Sequence, residues 1–158
     1  MKKNLIGKVN FLIVLTTLFV AGQAFGTELF IPSIKATPGK IIEVPIMLDK
    51  TDNLAGMKLV LKYDKNILEY KDGAKTKVTS SLMHVVNDKN PGVVILVMAG
   101  AKGIAGKNVQ LFTLKFKTNP GIKTKTSAGM AIKELQLMSD QLNEIECKIK
   151  VNDVVISP

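Results

Sequence analysis

The chain has no arginine and no tryptophan, one cysteine and one histidine. Each absence closes a class of function. A zinc site built from Cys and His needs several such ligands, and a disulfide scaffold needs cysteines in pairs. All 22 basic residues are lysine. Readers of nucleic-acid bases depend on the flat, bidentate guanidinium, so a formal charge of +9 carried by lysine alone describes a cationic surface and no nucleic-acid partner. Aromatics make up 5 % of the residues. What remains is ample for a core: 46 % of the 158 residues are hydrophobic, which suits one domain with a short appendage.

The appendage is at the start. Lys2, Lys3 and Lys8 precede an uncharged apolar run over residues 9–21, and Ala24 and Gly26 place small residues before a cut at Thr27. That is the pattern of a secretory signal peptide, residues 1–26. An uncleaved anchor is the competing reading, but the last third of the stretch is small and polar. Cleavage removes three lysines and no acid, which takes the formal charge to +6. The expected product is one domain, residues 27–158, exported to the cell surface or beyond, with no membrane partner after cleavage.

The rest is punctuated by three X-Pro-Gly turns, at Pro38-Gly39, Pro91-Gly92 and Pro120-Gly121, each suited to a type II turn. Short β-rich runs lie between turns: residues 29–37, 41–48, 54–63, 67–70, 77–87, 93–99, 109–118, 130–138 and 145–151, with 154–157 extending or pairing with the last. Pro45 argues for an edge or a bulge in the second run. Met57, Leu59, Leu61 and Tyr63 alternate with Lys58, Val60 and Lys62, as in a strand with one buried face. No long segment has helical period. The spacing predicts an all-β fold, an antiparallel sandwich or barrel.

The order of these features resembles a cohesin domain, the module that docks dockerins in cellulosome assemblies. ATPGKIIEVPIML (residues 36–48) is similar to that family's second strand, MKLVLKYDKNIL (57–68) to its third strand and turn, and GIAGKNVQLFTLKFK (103–117) to its glycine loop and following strand. Residues 132–140 and 145–156 fit its last two strands. The resemblance covers residues 29–157. It implies a jelly-roll sandwich of about nine strands and a non-catalytic binding module; the lone His84 and lone Cys147 add the expectation of no catalytic residue, no cofactor and no metal. The resemblance also implies a dockerin-like protein partner, in extracellular polysaccharide degradation or cell-surface assembly.

The candidate chemical groups have plainer readings. His84 has no nearby nucleophile and carboxylate to complete a triad. Cys147 suits a small buried hydrophobe in a strand. Asp49, Asp52 and Asn53 lack the spacing of an EF-hand and suit a solvated turn, with calcium as the alternative. Asp64 suits a turn cap. Glu134, Asp140, Glu144 and Glu146 fall within one hairpin and suit surface charge. Lys75 to Lys77 and Lys123 to Lys125 suit solvated loops.

The sequence VVILVMA (93–99) is apolar on both faces, although one face of a two-layer sandwich strand should meet water. The expected partner-binding face pairs this strand with 56–63 and presents Lys58, Val60, Lys62, Val93, Ile95 and Val97. The partner would be acidic with an apolar centre. The resemblance places the polar or acidic contacts usual in that family on Gly56, Lys58 and Gly100. A carbohydrate-binding module of the same architecture is the alternative, with polysaccharide as partner. Such modules stack sugars on flat aromatics, and Tyr63 is in phase with the core, leaving Tyr70 alone. N-terminal sequencing of the exported protein should begin at or within a few residues of Thr27; an intact Met1 on membrane-bound protein would contradict the leader.

Overall fold

The computed structural model describes residues 26–158, so the expected leader lies outside the described residues except for Gly26. Ten strands and no helix follow: β1 (Thr27–Ile31), β2 (Ile34–Ala36), β3 (Ile41–Lys62), β4 (Leu68–Lys75), β5 (Met83–Asn87), β6 (Val93–Thr118), β7 (Thr126–Ser127), β8 (Ala131–Ser139), β9 (Cys147–Val151) and β10 (Val154–Ile156). The architecture is the expected antiparallel jelly-roll sandwich.

Its frame is the antiparallel ladder between β3 and β6, which runs from Ile41 opposite Lys117 to Lys62 opposite Val93. The sequence divides each of these strands in two. Residues 49–53 look like a turn and 100–106 like a glycine loop, yet they face one another: Lys50 pairs with Lys107, Thr51 with Gly106 and Leu54 with Ile104. Register shifts between Thr51, Leu54 and Gly56 let both strands bend together into the second layer. One layer is β4, residues 106–118, residues 41–51, β1 and β9. The other is β5, residues 93–104, residues 54–62 and β8. Between them lies one core, with Leu29, Ile31, Val44, Ile46, Leu48, Leu59, Leu61, Leu96, Phe112, Leu114 and Phe116 sealed from solvent.

The first run is also divided, at Pro32 and Ser33. β1 pairs with β3 and β9, whereas β2 crosses to a small sheet ordered β2, β10, β7. β10 therefore neither extends nor pairs with β9; it lies parallel to β2. Proline lacks the N–H that a continuing ladder requires, which makes Pro32 a natural point for the change. Pro45 is tolerated for a related reason: pairing with β1 ends at Met47, and a register shift follows Ile46.

Two of the three predicted turns hold, with φ of +75° at Gly39 and +91° at Gly92. The third does not need Gly121 in the left-handed region, because the Asn119 carboxamide accepts the Gly121 N–H at 2.8 Å. Thr118, fully buried, secures the first turn by donating to Thr37 O at 2.8 Å and accepting from Lys40 N at 2.9 Å. Asp64 caps its turn as expected, accepting from Asn66 N at 2.8 Å.

Residues 77–82 are not strand. Lys75, rather than lying in a solvated loop, spans this segment and donates to Ser80 O and Leu82 O at 2.9 and 2.6 Å. Thr76 and Thr79 donate to Gln110 O and Leu111 O at 2.6 and 2.8 Å. The loop so fastened drives Leu82 into the core beside Gly100, where an added Cβ would lie 2.5 Å from Leu82 Cδ2. On β4, an added Cβ at Gly73 would fall 2.5 Å from the ring of sealed Phe112 and 2.9 Å from the Tyr70 hydroxyl. A rigid ring cannot swing aside as an aliphatic tip can, so Gly73→Ala should destabilise the domain by about 1–3 kcal/mol. Denaturant titration checks this, and an unchanged midpoint would contradict the packing.

Candidate functional site

The second layer places β8, β3, β6 and β5 side by side, and its outer face consists of transverse rows. Lys58 stands opposite Val97 on one side and Gln136 on the other; Val97 in turn faces Val85. The next row is Glu134, Val60, Ile95 and Asn87. Lys62 and Val93 form the row beyond, and Met138, Gly56, Ala99 and Met83 the row before. All six residues expected from the sequence, Lys58, Val60, Lys62, Val93, Ile95 and Val97, thus share one face as three registered pairs.

The face is graded. Towards β5 it is apolar and open: Met83 is 76 % exposed, Val85 67 % and Val97 41 %. Among the described residues no loop closes over that side. Val60, Val93 and Ile95 are half-buried by their neighbours. Towards β8 it is polar, and the Lys58 ammonium meets Glu134 at 2.6 Å. Lys58 is therefore not an open cation waiting for an acidic partner. Lys62 is the exposed lysine of the face that makes no ion pair among the described residues. Gly100 is not on the face, since it turns inward against Leu82 and Ala99 takes the outward place.

Met83 and Val85 were not among the expected residues. The alternation in LMHVVN was the available signal: Leu82 is buried, and Met83 and Val85 fall in the opposite phase. His84, between them, sits on the inward side of the edge strand with its ring 5.1 Å from Phe112.

The other candidate groups lie elsewhere. Asp49, Asp52 and Asn53 belong to the bent middle of β3 rather than to a loop. Asp49 accepts from the Glu28 and Lys50 amides at 2.8 and 2.6 Å. Asn53 donates to Asp140 at 2.6 Å, and Asp140 also accepts from Gly103 N at 3.3 Å. Those contacts tie the bends of β3 and β6 to the end of β8. Tyr63 is buried edge-on against Phe116, with centroids 4.9 Å apart. Tyr70 leans on the same ring at 5.6 Å, and burial with nearby Asp72 and Asp88 raises its hydroxyl to about 12.

Cys147 begins β9, half-buried, and burial raises its thiol from 9.0 to about 11. The neutral thiol is the form that the fold favours. Its contribution to stability is complete below pH 9 and is lost as pH rises through 11. Alkylation by iodoacetamide in the folded protein should stay slow near pH 8 and accelerate only above pH 10; fast labelling at pH 7 would contradict it.

With the fold and face described, comparison with known proteins becomes informative. The family model of the Cohesin domain matches residues 27–156. Among solved structures, the sixth cohesin of Acetivibrio cellulolyticus scaffoldin B, in complex with a mutant Cel5 dockerin, aligns with a TM-score of 0.71 at 17 % identity, covering 84 % of this chain and 98 % of that one. The cohesin of a Coh-OlpA–Doc918 complex from Clostridium thermocellum gives the same TM-score, identity and coverage. A non-cellulosomal cohesin from the archaeon Archaeoglobus fulgidus aligns at 0.68 and 19 % identity, covering 84 % and 90 %. A comparison with curated proteins finds no match. The solved structures share the fold, the family model spans nearly every described residue, and the chain belongs to the cohesin domain family.

Proposed function

We propose that this domain is an exported, non-catalytic docking module that holds a dockerin-like protein on the outer face of β8, β3, β6 and β5. The observation that carries the reading is the exposed apolar strip of Met83, Val85 and Val97 beside half-buried Ile95 and Val60, on a flat sheet in a cohesin domain. An exposed apolar patch of this kind, rimmed by charge, is what a protein partner covers. Two of the compared cohesins are in complex with dockerins, which supports the class of partner. The polar β8 side, with Lys58 already neutralised by Glu134, would set orientation more than affinity. Lys62 favours an acidic rim on the partner. The setting we propose is extracellular polysaccharide degradation or cell-surface assembly.

Binding is to be measured against a panel of dockerin modules, acid-rich members included. Val97→Asp, at the centre of the strip, should weaken binding by about 30-fold or more, the loss expected of a central anchor. Lys62→Glu should slow association and flatten its salt dependence. Lys148→Glu, on β9 in the other layer, should do neither. Binding that survives Val97→Asp in a folded protein would contradict the assignment of the face.

A further inference from the structure

Away from the docking face, an open cleft of about 670 Å³ lies where β2, β10 and the start of β3 meet. Lys35, Lys40 and Lys125 line it from three different segments, and no aspartate or glutamate does. The ion pairs among the described residues use other lysines: Lys58 with Glu134, Lys71 with Glu69, and Lys115 with Glu43. Glu43, the residue after Ile42 of the lining, is paired with Lys115 at 3.6 Å. Three lysines thus line one cleft with no aspartate or glutamate side chain among the lining residues, which end with Pro158. The lining also includes Ile41, 57 % exposed, and Val155, with hydroxyls on Thr37 and Ser157.

We infer that this cleft is a second binding site, and that it takes a short run of an acidic sugar chain. The chemistry of each part fits that ligand. Separated ammonium groups match carboxylates that recur along a chain of uronic acids. Ile41 and Val155 offer a surface for the C–H faces of sugar rings, and the Ser157 hydroxyl can bond ring hydroxyls. The volume lies in the range of ordinary ligand clefts. A neutral glucan would leave the three lysines without counter-charge. The site shares no residue with the docking face, so the domain would hold a protein on one surface while resting on an acidic glycan by another. The inference is independent of the docking proposal.

The test is titration calorimetry of the domain, residues 27–158, with hexagalacturonate, and with cellohexaose, polyglutamate and vesicles containing anionic phospholipid as comparators. Hexagalacturonate should bind one-to-one, more weakly as salt rises, and cellohexaose should not bind. Lys35→Glu combined with Lys125→Glu should weaken binding at least tenfold. Ile41→Ser, which leaves the charge unchanged, should weaken it several-fold. Lys62→Glu on the docking face should have no effect. Loss in Lys62→Glu equal to that in the cleft variants would mean general attraction to a cationic surface and overturn the site. So would affinity unmoved by Ile41→Ser, or polyglutamate or vesicles bound as tightly as the uronate.

Discussion

Everything in this molecule hangs on the ladder between β3 and β6. Hydrogen bonds between two strands of this length fix the register of Ile42 with Phe116, Leu59 with Leu96 and every pair between. Because side chains alternate, that single register decides which residues enter the core and which meet water. Four strands attach directly to one of the two, β1 and β8 to β3, β4 and β5 to β6, and β9 joins through β1. The bulges near Thr51 to Gly56 matter as much as the pairs. They bend both strands at one level, so that a continuous ladder supplies both layers of the sandwich and its two ends pack on each other.

The face proposed for docking is a consequence of that ladder. In the second layer Val94, Leu96 and Met98 fill the core, and the alternation sends Val93, Ile95 and Val97 outward. β3 brings Lys58, Val60 and Lys62 alongside. The edge strand β5 completes the apolar strip, and it sits where it does because Thr76 and Thr79 fasten its approach to β6 and Leu82 anchors it in the core. Gly100 leaves room for that anchor. Thus the loop 76–82 positions the two most exposed residues of the strip, Met83 and Val85.

Much of this was legible in the sequence, and the gaps have physical causes. Residues 57–63 alternate strictly because one face is buried and the other wet, so phase and face were both readable there. Residues 49–53 were not readable as strand, since Asp and Asn favour turns and Lys is depleted in strands; pairing with the facing segment of β6 overrides that local preference. Pro32 marked a break that the run 29–37 concealed. The Lys58–Glu134 pair joins positions 76 apart, and no local pattern foretells which acid a lysine will meet. The cleft was equally hidden, because its three lysines come from segments that only the closing of β10 on β2 brings together.

The central claim is that a partner is held on the outer face of β8, β3, β6 and β5. Amide and methyl chemical-shift mapping of the labelled domain, titrated with a bound dockerin, tests it most directly. The account predicts that the largest changes cluster at Val60, Val85, Ile95 and Val97, with β1, β9 and the lysine cleft unmoved. A footprint centred on β1 and β9, or on the cleft of Lys35 and Lys125, would contradict it.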